Sequence, residues 1–124
     1  VKQMKEDGIG LDVTLEVVCG KWKGLILWKL IHENHLRFNE LRRSLDGNIS
    51  SRILARELKK LIQDGLIERI DYETVPPRVE YRVTPYGRTT ASFLEKMNEW
   101  GIHHKRRAYQ QESLTDVSNQ LKEQ

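Results

Sequence analysis

A chain of 124 residues with 38% hydrophobic and 31% charged side chains can bury one core, is too apolar for a disordered segment and too polar for a membrane protein. Its net charge of +3 is mild, so where the charge sits matters more than its sum. No apolar run approaches the roughly 18 residues of a spanning helix, and the single cysteine, Cys19, can neither close an internal bridge nor join a Cys/His set at metal-ligand spacing, which excludes a disulfide scaffold and a zinc finger.

The opening stretch Val1–Asp7 has no hydrophobic signal core, and the expectation is a cytoplasmic protein with no membrane contact. Leu11, Leu15 and Val18 recur at i, i+4 and i+7 ahead of a break at Gly20, which predicts a short first helix. Trp22 to about His32 follows as a second helix, apolar around most of its circumference and therefore expected at the buried centre. Phe38, Leu41 and Leu45 repeat at i, i+3 and i+7 in a third, which Asp46-Gly47-Asn48 stops with turn residues.

Ser50 then offers an N-cap hydroxyl to a fourth helix running to Asp64-Gly65. At about 100° per residue, Leu54, Leu58, Leu61 and Ile62 share one face of it, and Arg52, Arg56, Lys59, Lys60 and Gln63 share the opposite one. Leu66 to Tyr72 reads as a strand, and Val79, Tyr81 and Val83 alternate with Glu80 and Arg82 as its half-buried partner. Pro76 and Pro77 cannot donate to a ladder, so they belong to the loop of this hairpin. Thr84-Pro85 caps and opens a long helix whose stripe of Tyr86, Thr90, Phe93, Leu94, Met97 and Trp100 is wide enough to need a partner beyond a small domain. From His103 the chain is polar, and Leu114, Val117 and Leu121 suggest only one or two more turns.

Between Arg37 and Ile62 seven basic residues face three acidic ones, a local excess of four, whereas the rest of the chain is net negative by one. The fold class expected from this order is α+β, mainly α: a winged helix-turn-helix with a two-stranded β-hairpin wing and terminal helices for dimerisation. A cationic outer helix face can set arginine forks on guanine edges while lysines neutralise phosphates, and an extruded hairpin can reach the flanking backbone or minor groove.

The residues resemble the HxlR-type regulators, a branch of the MarR-like winged-helix proteins. The likeness rests on Gly20-Lys21-Trp22-Lys23, on Arg37-Phe38-Asn39-Glu40-Leu41-Arg42-Arg43, and on Leu58 followed by Asp64-Gly65-Leu66-Ile67-Glu68-Arg69. It continues in Val75-Pro76-Pro77-Arg78-Val79-Glu80-Tyr81 and in Thr84-Pro85-Tyr86-Gly87 with Trp100-Gly101. The resemblance implies a homodimer on near-palindromic operators, built through the terminal helices, under redox or small-molecule control. Leu11, Leu15, Phe93, Leu94, Met97 and Trp100 are the expected subunit contact. The chain is then one domain, 1–124, with its core at 9–101 and 102–124 as a helical extension or a flexible tail. Several members carry a reactive cysteine that aligns near Ile9, a position without a thiol in this chain.

Each signal has a plainer reading beside it. A basic helix face is often only solvated, but the turn before it and the hairpin after it favour DNA contact for Ser50, Ser51, Arg52, Arg56, Lys59 and Lys60. Arg37 and Arg43 either clamp phosphates or pair with Glu40 and other acids on the surface, and both readings stay open. Arg78 is favoured as a wing contact over a mere hairpin end. Cys19 reads as a small buried hydrophobe rather than a sensor thiol; Trp22, Trp28 and Trp100 read as core or interface rather than an effector pocket. His103-His104-Lys105-Arg106-Arg107 reads as a solvated helix end, since adjacent histidines diverge by about 100°. No P-loop, dinucleotide fingerprint or catalytic motif is present, so no enzyme and no cofactor are expected. Two rivals remain: a winged helix serving as a protein-interaction module, and a regulator with thiol-based sensing at Cys19.

Overall fold

The structure, a computed structural model, describes residues 8–45 and 49–122; the expected turn at Asp46-Gly47-Asn48 and the opening Val1–Asp7 lie outside the described residues. The chain forms two compact units, one ending at Ala91 and the other starting at Ser92.

In the first unit, α1 (Leu11–Val18) buries Val18 and gives way at Cys19, whose N–H still donates to the Leu15 carbonyl. The next helix, α2 (Lys23–Glu33), puts Ile26, Leu27 and Leu30 at the centre of the core. It is less fully enclosed than its composition predicts: Leu25 is exposed and Trp22 and Trp28 are half-buried, so its first half keeps an open side. Asn34, at φ +65°, ends the helix in a backbone conformation that a short polar side chain tolerates. α3 (Phe38–Ser44) starts with the Arg37 N–H donating to Glu40 Oε1, so that Glu40 caps the first turn.

α4 (Ser51–Gln63) begins as expected, with Ser50 Oγ accepting from the Ile53 N–H at 3.1 Å. It ends in a Schellman motif, in which Gly65, at φ +76°, donates to the Ile62 carbonyl and Leu66 to that of Leu61. Leu54, Leu58 and Leu61 are buried beneath it. Ile62 lies at the rim, 36% exposed, and Glu57 at 8% takes part of the inner face that the apolar pattern assigned to hydrophobes.

The hairpin of β2 (Ile67–Asp71) and β3 (Val79–Val83) pairs Ile67 with Val83 and Asp71 with Val79. A third strand joins it: β1 (His35–Leu36) pairs with β3, giving an antiparallel sheet of order β1-β3-β2 rather than a bare hairpin. Two residues carry no periodicity, which is why the pattern does not disclose β1. The alternation along β3 also departs from expectation, because Glu80 is buried to 8% while Val79 and Tyr81 are only half-buried.

Thr84 Oγ1 accepts from the Gly87 N–H at 2.9 Å and Pro85 takes the first helical position, yet the helix that opens there, α5 (Pro85–Arg88), is short. Thr89 and Thr90 turn both their N–H and their hydroxyls onto the carbonyls of Tyr86 and Gly87, three residues back, which tightens the backbone and breaks the expected continuous helix. Gly87 meets the chain at close range: a Cβ there would stand 2.0 Å from the Leu66 carbonyl oxygen.

The second unit is carried by α6 (Ala91–Lys122), a single helix of 32 residues whose first residue still belongs to the first unit. The stretch after His103, expected to yield a turn or two, stays helical to Lys122. Met97, Trp100, Tyr109, Leu114, Val117 and Leu121 are exposed along it. Among the described residues no helix is long and apolar enough to cross a membrane.

Candidate nucleic-acid interface

A side chain of α3 ties down the start of α4. Arg42 Nε donates to the Ile49 carbonyl at 2.9 Å, and Ile49 itself is buried, so the approach to α4 is anchored before Ser50 caps the helix. With Leu54, Leu58 and Leu61 beneath it, α4 has one rotational setting. That setting leaves Ser51, Arg52, Arg56, Lys59, Lys60 and Gln63 exposed. At 3.6 residues per turn, Arg52, Arg56 and Lys59 fall within about 60° of arc, with Lys60 beside them.

The cations on this face differ in their partners. Arg56 makes a 3.4 Å contact with Glu57, which sits at the flank of the buried side. Arg52, Lys59 and Lys60 form no ion pair with a described residue. On α3, Arg37 and Arg43 are exposed, and the Glu40 carboxylate is engaged by the Arg37 backbone.

The wing projects residues 72–78, all exposed, with Val75 at 99%. Arg78 lies at its base: Nε donates to Glu80 Oε1 at 2.7 Å, and the guanidinium stacks over the Tyr72 ring at 4.1 Å. The Tyr72 N–H to Arg78 carbonyl bond prolongs the ladder by one step. Glu80 also faces His35 at 3.7 Å, tying β1 to the wing, and Arg82 pairs with Glu68 directly across β2. Arg78 is thus both fixed and half-exposed, its orientation set by a buried carboxylate.

Three of these residues escape sequence reasoning. Arg42 carries no signal, because its partner is a backbone carbonyl seven residues on. Glu80 could be suspected from the i, i+2 spacing to Arg78, which puts both on one face of a strand. Gly87 is marked only by what it approaches.

Of the expected subunit contact, Leu11, Leu15, Met97 and Trp100 are exposed, Phe93 is half-buried and Leu94 is buried within the chain. Trp100 stacks on His104 with centroids 5.1 Å apart. Cys19 has intermediate exposure. No group of three or more His, Cys, Asp or Glu among the described residues is placed to hold a metal.

With this geometry in view, comparison with known proteins adds three findings. A family model described as HxlR-like helix-turn-helix matches residues 17–109. The uncharacterized HTH-type transcriptional regulators YtcD and YdeP of Bacillus subtilis (strain 168) are similar in sequence. YtcD is 42% identical over 107 residues, 86% of this chain and 83% of its own. YdeP is 37% identical over 115 residues, covering 93% and 88%. Among solved structures, the redox regulator HypR in its oxidized form superposes with a TM-score of 0.72 at 40% identity, over 77% of this chain and 96% of its own.

Proposed function

This chain belongs to the HxlR-like helix-turn-helix family, and on that premise we propose that it regulates transcription as a homodimer whose two α4 helices enter successive major grooves of an inverted-repeat operator. It is a sequence-specific DNA-binding protein, and the chains it is similar to are HTH-type transcriptional regulators. Ser51 and Arg52 read bases, because N-terminal residues of a recognition helix reach deepest into the groove. Arg56 reads an adjoining base, Lys59 and Lys60 neutralise phosphates, Ser50 sets the start of the helix, and Arg37 and Arg43 steady the backbone from α3. Arg78 meets the flanking phosphate or minor groove from the wing. Residues 9–101 form the DNA-binding core and 102–122 a helical extension, with Leu11, Leu15, Phe93, Met97 and Trp100 at the subunit contact, while Leu94, buried within the chain, supports it from beneath.

The observation that carries this reading is the division of α4: its leucines are buried beneath it while its arginines and lysines are all exposed on the opposite face. Selecting bound duplexes from a random pool and sequencing them tests it. The expected product is an inverted repeat with half-site centres about 10–10.5 bp apart or a multiple of that. A pool that stays random after selection, or duplex binding indifferent to salt, refutes the proposal and favours a protein-interaction module.

A further inference from the structure

One face of the sheet is turned to the core by Leu36, Ile67 and Val83, all buried; the other carries a row of charges. Opposite residues of an antiparallel pair point to the same side, as do residues two apart on a strand. The pairs His35–Arg82, Glu68–Arg82 and Ile70–Glu80 therefore gather His35, Glu68, Glu80 and Arg82 on this outer face, with Tyr72 and Arg78 at its wing end. Two arginines balance two glutamates there, so the charge of His35 decides the net charge of the face.

Glu80 is the centre of the group. Its side chain is 10% exposed; Oε1 accepts from Arg78 Nε at 2.7 Å, with Nη2 at the same distance, while Oε2 faces His35 Nδ1 at 3.7 Å. That last separation is longer than a hydrogen bond. A neutral imidazole carries a proton on Nδ1 in one of its two tautomers, whereas an imidazolium always does. The His35 side chain is 42% exposed, so water reaches it, and histidine is the side chain whose charge ordinarily changes between about pH 5 and 8. The other charged groups around the ring are engaged elsewhere or unpaired. Arg82 pairs with Glu68, the His32 Nδ1 lies 2.7 Å from the Trp28 carbonyl oxygen, and Glu33 and Arg37, which flank β1, form no ion pair with a described residue.

We propose that His35 is a positioning residue of the wing: its charge sets how far Glu80 neutralises Arg78, and so how strongly the wing holds DNA. With a neutral imidazole, Glu80 has only the Arg78 guanidinium to balance it, and the two cancel. Protonation gives Oε2 a cation of its own, so the trio of His35, Glu80 and Arg78 passes from neutral to a net positive charge beside the flanking phosphates. Phosphates favour the charged form; operator binding therefore takes up protons, and affinity rises as pH falls. A unit charge about 10 Å from one phosphate changes affinity about twofold in water, which two wings compound to about fourfold. This role rests on the DNA-binding reading above; the tie between His35, Glu80 and Arg78 does not.

The test follows the full chain on the selected operator by fluorescence anisotropy at low salt, from about pH 8 to about pH 5.5. The fall in dissociation constant should exceed that of His35→Gln, which keeps His32, His103 and His104, by at least about threefold. His35→Lys, a fixed cation, should bind about threefold more tightly than the parent protein at pH 8 and respond to pH no more than His35→Gln. Both variants should keep the parent melting temperature at pH 8, because β1 pairs through its backbone. Without DNA, the Arg78 Nε–H proton resonance, assigned by its absence in Arg78→Lys, should move over this pH range in the parent and stay in place in His35→Gln. An operator response undiminished in His35→Gln overturns the proposal, as does His35→Lys binding no more tightly than His35→Gln at pH 8. An Arg78 resonance indifferent to His35 also overturns it and leaves operator binding standing. If no duplex binds at any pH while the resonance follows His35, the DNA-binding reading falls and this role falls with it.

Discussion

Replacing Arg52 by alanine removes a guanidinium from the first turn of α4 without disturbing anything beneath it. The residue is exposed, forms no ion pair with a described residue, and shares its turn with the Ser50 cap, which stays intact. Its folding cost should therefore stay within about 0.5 kcal/mol, the usual range for a surface change. If Arg52 reads a base, operator binding should weaken by about 1–3 kcal/mol, roughly 5- to 150-fold in dissociation constant. Arg56→Ala should cost operator binding somewhat less, because its guanidinium is shared with the buried Glu57 carboxylate 3.4 Å away. Fluorescence anisotropy on the selected duplex and on a scrambled one, repeated over a salt series, separates the effects: a base reader loses discrimination, a phosphate contact loses only slope. Operator affinity unchanged in both variants, with melting temperatures preserved, would falsify the assignment of this face to DNA.

Lys59→Ala and Lys60→Ala should lower affinity on all duplexes alike and reduce the salt slope by about one each, readable from the same titrations. Gly87→Ala should destabilise the fold by about 3 kcal/mol in urea unfolding, because the new methyl meets a backbone carbonyl that cannot swing aside; a cost below about 1 kcal/mol would contradict the close approach. Arg42→Ala should lose about 1–2 kcal/mol of stability by leaving the Ile49 carbonyl without its donor, and should weaken operator and scrambled duplexes together. Cys19→Ser should leave operator affinity unchanged; full oxidant-induced release of DNA by this variant eliminates sensing at Cys19, and loss of that release supports it.

Much of the helical frame is legible along the chain because it depends on local causes. Leu54, Leu58 and Leu61 at helical spacing, a serine before the first turn and a glycine after the last define α4 to within a residue or two. The cationic face follows from the same arithmetic, since a helix whose leucines are buried has no choice about where its arginines point. The threonines after Gly87 show where local reading fails: their preference for carbonyls three residues back competes with helix continuation, and the pattern of apolar residues is blind to it. The extent of α6 fails in the other direction, because a polar helix carries no apolar stripe to announce it.

What the order of residues determined by itself was the first four helices, the β2–β3 hairpin and the cationic face of α4, each fixed by interactions within a few positions of one another. Only the tertiary structure decided which distant groups meet: β1 on the far edge of β3, the Glu80 carboxylate that orients Arg78, the Arg42 tie to Ile49, and the tryptophans of α2 turned to a groove instead of the core. Such contacts join residues whose separation along the chain follows no period, so they are settled by packing, where steric fit and unpaired polar groups choose among partners that local propensity leaves equivalent.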